Sequence, residues 1–418
     1  MEYTIGKCDN ELIHACSIRS ERVAMELLKY PSKCEMDQVN NDGDTALILA
    51  CYGGMKQVAL ELLNYPDECK IDHVNKHGNT ALILACYGGM EEVALELLTH
   101  PDRCKIDQVN NSGNTALMRA CGTGMEKVAT ELLKYPEKCK IDQVNSHSNT
   151  ALILACASRS DHTALELLKY PDKCKIGHVS CRRDTALIHA CNNALKHVAM
   201  MLLTYPNECK TDQVNSRGVT ALIGTCANRM KGVALKLLKY PTRCKIDQVS
   251  SSGNTALIEA CKHNMKQITL KLLKYPDICK IDQVNSNGDT ALYWARTRHM
   301  YYALDILECY SDFVAIMNLT PGKKISLQKY VDKKIAEKIN QLPDKKEIVM
   351  HQKELNNMIK NSLKHEECIM CCNITNNNIF VTNCRHILHM YCECVYLIDS
   401  KCPICRTKSE FVNGCFTI

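Results

Sequence analysis

The chain has 418 residues, 46% apolar, 23% charged and only 5% aromatic, an ordinary soluble composition with room for two or three domains that argues against a large β-sandwich. A formal charge of +6 is too small to point to nucleic acid unless it is concentrated in one place. No run of apolar residues is long enough to cross a membrane, and the start, MEYTIGKCDNELIHAC, lacks the basic-then-apolar pattern of a signal peptide.

The 28 cysteines would mean a disulfide framework in a short secreted chain. In a long chain with no export signal they predict a reduced, cytoplasmic protein.

From the N-terminus, the dominant feature is a repeat. Thr-Ala-Leu begins at Thr45, Thr80, Thr115, Thr150, Thr185, Thr220, Thr255 and Thr290, every step 35 residues, and a worn copy (NELIHAC) starts at Asn10. Such a period predicts a mostly α-helical solenoid of nine units over 1–312, since one unit cannot bury its apolar face alone. Within a unit, Ala46, Leu47, Ala50 and Cys51 share one face of a first helix, which Gly53-Gly54 breaks. Val58, Ala59, Leu62 and Leu63 stripe a second helix, ended by Tyr65-Pro66. Asn-Asn-Asp-Gly-Asp (40–44) supplies a tight turn into the next unit.

Sixteen cysteines fall at two phases of this period, Cys51, Cys86 and their equivalents on the first helix, and Cys69, Cys104 and theirs after the second. No histidine or acid accompanies both phases, so they are expected to be small buried hydrophobes.

The pattern T-A-L-I-x-A…G…V-A-x-x-L-L…V-N-x-x-G-N-T resembles the ankyrin repeat, whose usual core is T-P-L-H-x-A and whose usual period is 33. Alanine and isoleucine stand here for proline and histidine, and the added residues fall in the YPDxCKIDQVN connection. The resemblance implies a protein-binding surface on the hairpin tips and the concave face of the first helices. Two positions there vary while the framework holds. The first reads Leu49, Leu84, Arg119, Leu154, His189, Gly224, Glu259, Trp294, and the second begins Tyr52, Tyr87. Leu49, Tyr52, Leu84 and Tyr87, with Arg119 and Trp294, are the candidate partner contacts, apolar-aromatic residues of the kind that anchor interfaces. On the second helix, Glu26, Glu61, Glu96, Glu131 and Glu166 give way to Met201, Lys236 and Lys271, a solvated face whose charge changes sign along the stack.

Beyond Trp294 the pattern decays. A lysine-rich helical linker is expected over 313–365, with eleven lysines against six acids between residues 318 and 366. At 366–408 the character changes. Cys368-x2-Cys371, twelve residues, Cys384-x-His386-x2-His389-x2-Cys392, nine residues and Cys402-x2-Cys405 make eight ligands, enough for two tetrahedral Zn²⁺ ions. A segment this small cannot bury enough core alone, so metal would supply most of its folding free energy.

This arrangement resembles the RING finger with two central histidines. The resemblance implies interleaved ligands: Cys368, Cys371, His389 and Cys392 on one zinc, and Cys384, His386, Cys402 and Cys405 on the other. Cys394 competes with Cys392, at a spacing from His389 that the pattern does not favour. The resemblance also implies a ubiquitin ligase that acts by positioning, with no covalent ubiquitin intermediate. Its partners would be a ubiquitin-charged conjugating enzyme and a substrate protein, and not nucleic acid or membrane. The matching contact residues are Met370, Tyr396 in place of the usual tryptophan, Pro403, and Arg406, which would bridge enzyme and ubiquitin. In the tail, 409–418, Phe416 resembles the terminal aromatic of dimeric apoptosis-inhibitor ligases, which implies a homodimer. The alternative is a non-catalytic interaction scaffold. The near-identical repeats resemble ankyrin proteins of giant DNA viruses, which would place the chain in a host cytoplasm.

Overall fold

The computed structural model describes residues 11–240, 243–275, 278–301, 303–304 and 307–308, and the segments 379–381 and 387–389. Seventeen α-helices and two short strands lie among these residues. The chain divides into two compact units, Met1–Glu259 and Ala260–Ile418.

In the first unit each repeat from Thr45 onward starts on its threonine. Thr45 is extended (φ −81°, ψ 165°), and its Oγ1 accepts the backbone N–H of Ile48 at 3.2 Å. This is an N-cap, which satisfies one of the donors that the first turn leaves free. The same bond recurs at Thr80, Thr115, Thr150, Thr185, Thr220 and Thr255. The capped helix Ala46–Gly53 buries Ala46, Leu47, Ile48, Leu49, Ala50 and Cys51. Its small residues let first helix meet first helix in consecutive repeats, while second helices such as Lys56–Leu63 pack on second helices.

The first helix stops at Gly54, in the left-handed region at φ +75°. Arg159, Ala194 and Arg229 adopt the same left-handed φ at the equivalent place without glycine's freedom.

The connection after the second helix is a compact turn. The Cys69 N–H donates to Tyr65 O at 3.0 Å, and the turn tucks Cys69 and Ile71 into the core. None of the sixteen cysteines of the two phases forms a disulfide, and all but the half-exposed Cys34 are buried.

The polar turns are joined to one another. Asn40 Oδ1 accepts from the N–H groups of Asp42 (2.9 Å) and Asp44 (2.8 Å). Gly43 between them takes φ +77°. From one repeat to the next an asparagine reaches back: Asn75 Nδ2 donates to Asp44 Oδ1 (2.7 Å), Asn110 to Asn79 Oδ1 (2.8 Å), Asn145 to Asn114 Oδ1 (2.9 Å) and Asn215 to Asp184 Oδ1 (2.7 Å). A ladder of side-chain amides therefore runs through the turns, interrupted where Ser180 and Ser250 replace asparagine.

In the second unit, the helix Lys266–Leu273 buries Ile268, Leu272 and Leu273, and the helix Ala291–Thr297 is capped by Thr290. Strands β1 (Ile379–Val381) and β2 (Ile387–His389) pair antiparallel, with Ile379 opposite His389 and Val381 opposite Ile387. No helix among the described residues is long and apolar enough to cross a membrane.

Candidate functional site

The threonine caps fix the start of every first helix, and so fix the side chains four and seven residues further on. At the first of these positions Leu49 and Leu84 are 9% and 7% exposed. They belong to the core more than to the surface. At the second, Tyr52 and Tyr87 are 58% and 52% exposed, so the apolar-aromatic patch narrows to two tyrosines on adjacent repeats.

Both tyrosines hold a cation. The Arg19 guanidinium lies 5.7 Å from the Tyr52 ring centre, and that of Arg119 lies 4.7 Å from Tyr87. Arg119 is half-buried and its Nε has no hydrogen-bond partner. Burial lowers its pKa from the usual guanidinium value. Such stacks are worth about 0.5–1 kcal/mol each at exposed sites, and they keep the rings upright and the arginines ordered. Tyrosine and arginine together are the side chains most often found at the energetic centre of protein interfaces.

Further along, the variable position changes character. Leu154 is half-buried, Gly224 is buried, and His189 sits over the buried Asp184, Nε2 to Oδ2 3.8 Å. A Cβ at Gly224 would require the Asn192 side chain to shift. In the second unit Trp294 lies between Lys262 (5.8 Å) and Arg298 (5.7 Å) and meets Tyr293 edge-on at 5.3 Å.

The hairpin tips form a second row that sequence reasoning located only in general terms. Consecutive tips are tied by backbone bonds: Asn111 N–H to His77 O (2.9 Å), Ser146 to Ser112 (2.9 Å), Cys181 to His147 (3.1 Å), Ser216 to Arg182 (2.9 Å) and Ser251 to Arg217 (2.8 Å). Lys76, His77, His147, Arg182, Arg183 and Arg217 are exposed along this row. The signal available in the sequence was the replacement of Asn-Asp-Gly-Asp, as at 41–44, by Cys-Arg-Arg-Asp at 181–184.

Of the predicted zinc ligands, His389 ends strand β2. Cys368, Cys371, Cys384, His386, Cys392, Cys402 and Cys405 lie outside the described residues, as do Met370, Tyr396, Pro403 and Arg406. Among the described residues no group of three or more Cys, His, Asp or Glu side chains could hold a metal ion.

The family model described as ankyrin repeats (3 copies) matches residues 12–110 and again residues 95–178. Among curated proteins none matches the chain. Residues 12–178 are thus ankyrin repeats, and the same 35-residue unit continues to the Thr290 copy.

Proposed function

We propose that the chain is a RING-type ubiquitin ligase in which the ankyrin repeats hold a substrate protein and the C-terminal zinc domain recruits a ubiquitin-charged conjugating enzyme. Ankyrin repeats suggest protein–protein interaction, and the exposed tyrosine–arginine stacks supply anchors for it. The observation that carries the catalytic half is the donor set: eight cysteines and histidines at paired spacing between Cys368 and Cys405. Thiolates and imidazoles without a carboxylate suit tetrahedral Zn²⁺. The β1–β2 pairing supports this, because it brings His389 to the end of a two-stranded hairpin whose connection, 382–386, contains Cys384 and His386.

On this reading Cys368, Cys371, His389 and Cys392 hold one ion and Cys384, His386, Cys402 and Cys405 the other. The metal supplies folding free energy, and the reaction is left to positioning. Met370, Tyr396 and Pro403 make the apolar contact with the conjugating enzyme. Arg406 donates to the ubiquitin carried on it and restrains the thioester for attack by a substrate lysine. A non-catalytic scaffold would keep the repeats' binding and lack the transfer.

Metal analysis of the purified full chain tests the donor set. Two zinc ions per chain are expected, falling on paired replacement of His389 and Cys392 by alanine; a metal-free folded chain overturns the reading.

A further inference from the structure

Several surface cations of the first unit pair with an acid of a neighbouring repeat. Lys56 pairs with Glu92 (2.6 Å), Arg103 with Asp67 (2.8 Å), Lys138 with Asp102 (2.9 Å) and Lys173 with Glu137 (2.6 Å). Arg182, Arg183 and Arg217 lie on two adjacent tips and, among the described residues, have no such partner. All three are exposed and none makes an ion pair among the described residues.

Two local features keep carboxylates away from Arg182 and Arg183, and a third sets Arg217 beside them. First, Asp72, Asp107 and Asp142 precede the tips of other repeats and Asp212 precedes Arg217, but the equivalent residue before Arg182 is Gly177. A Cβ at Gly177 would collide with the Glu208 carbonyl oxygen, so packing excludes an aspartate there. Second, Asp184, the acid next in sequence, is buried. Its Oδ1 accepts from Asn215 Nδ2 and its Oδ2 faces His189. Third, the Ser216 N–H bond to Arg182 O sets the Arg182 and Arg217 tips side by side, so their guanidiniums share one surface. The field is felt underneath. The His189 pKa is lowered mainly by burial, against the pull of Asp184, and Arg217 and Arg182 lower it further.

We propose that the tips bearing Arg182, Arg183 and Arg217 dock an acidic segment of the partner protein, whose aspartate and glutamate side chains pair with the three guanidiniums. The proposal rests on the reading of the repeats as the protein-binding half, and specifies the chemistry of what they bind. Arginine forks match carboxylates bidentately, and three unpaired forks on adjacent tips favour an acidic run over an isolated charge. The exposed Lys76 adds a further cation to the row.

The test is fluorescence anisotropy of a short fluorescein-labelled polyglutamate peptide with the full chain, over a range of salt concentrations. Binding that weakens with salt is expected, and Arg182→Glu/Arg217→Glu weakens it by about tenfold or more. The charge-matched control Arg103→Glu/Lys138→Glu changes it little. Because the two tip positions are exposed, both variants keep the wild-type helical signal. No binding at low salt overturns the proposal, and so does equal weakening by the control, which would mean a net-charge effect. Tighter binding of a single-stranded oligonucleotide through the same arginines would make the row a nucleic-acid surface and also overturns it. Zinc content and ubiquitin transfer are independent readouts, so failure here is distinguishable from failure of the ligase reading.

Discussion

Urea unfolding of the reduced protein loses most of its midpoint between pH 7.5 and 9.5. The cause is the double row of buried thiols. Burial pushes Cys69, Cys104, Cys139, Cys174 and Cys244 up to about 12 and Cys209 to about 11. It also raises Cys51, Cys86, Cys121, Cys156 and Cys191 on the first helices. Each of these side chains is at most 1% exposed, so the thiolate finds no water. In the unfolded chain a thiol titrates near 8.5.

A group whose folded pKa is raised favours folding fully below its unfolded value, and that contribution is lost as pH climbs toward the folded value. The window therefore opens at about pH 8.5 and extends to about 11–12. At pH 9.5 each unfolded thiol is about ten-to-one ionised, a loss near 1.4 kcal/mol per residue. Roughly ten such thiols match the whole stability of an ordinary domain, about 5–15 kcal/mol.

Two controls identify the cause. Cys121→Ala/Cys156→Ala loses some stability at pH 7 through lost packing, yet falls less steeply above pH 8.5. Site-resolved alkylation at pH 8 labels the exposed Cys181 and spares the buried rows. A midpoint that stays flat to pH 9.5 would show that the thiols are not sealed from water.

Asn110→Ala destabilises the stack by about 3–5 kcal/mol, a sum of lost bonds and stranded donors. Asn110 Oδ1 accepts from the N–H groups of Ser112 (3.1 Å) and Asn114 (2.9 Å), and Nδ2 donates to Asn79 Oδ1 (2.8 Å). Asn110 is 9% exposed and Asn114 is 4% exposed, so solvent cannot replace those partners. Gly113 makes local relaxation harder. It takes φ +77°, and a Cβ there would sit 2.9 Å from Asn145 Cα. Asn79→Asp is the conservative comparison, since Asp44 and Asp184 already accept the same amide in their own repeats. It costs less than about 1 kcal/mol. Denaturant midpoints of the two variants separate the ladder's contribution from a general effect of mutation. Equal midpoints would mean that the ladder adds nothing.

The repeat was legible because its period is strict and because each part of the unit has a local cause. Threonine caps, a glycine stops the first helix, and proline ends the second. The cysteine rows followed from phase alone. What escaped the sequence lies between repeats. The amide ladder joins residues 31 positions apart, and each of its members reads locally as an ordinary turn asparagine. Variation at the Leu49 and Leu84 position suggested exposure, but both side chains are largely buried, and the exposed residues are Tyr52 and Tyr87, with arginines stacked on them. The adjacency of the tip arginines is likewise hidden in the sequence, because the Ser216–Arg182 backbone bond that sets their tips together joins different repeats. At the C-terminal end, by contrast, ligand spacing is readable without coordinates, because paired donors around one ion need only short turns.

The measurement that bears most directly on the proposed function is ubiquitin transfer by the zinc-loaded full chain with activating enzyme and a panel of conjugating enzymes. Ubiquitin conjugates are expected with at least one conjugating enzyme. Arg406→Ala should lower the rate by about tenfold, as expected for removal of a group that only positions the thioester, with zinc content and helical signal unchanged. Absence of conjugates with every enzyme of the panel, from folded protein holding two zinc ions, would contradict the ligase account and leave a binding scaffold.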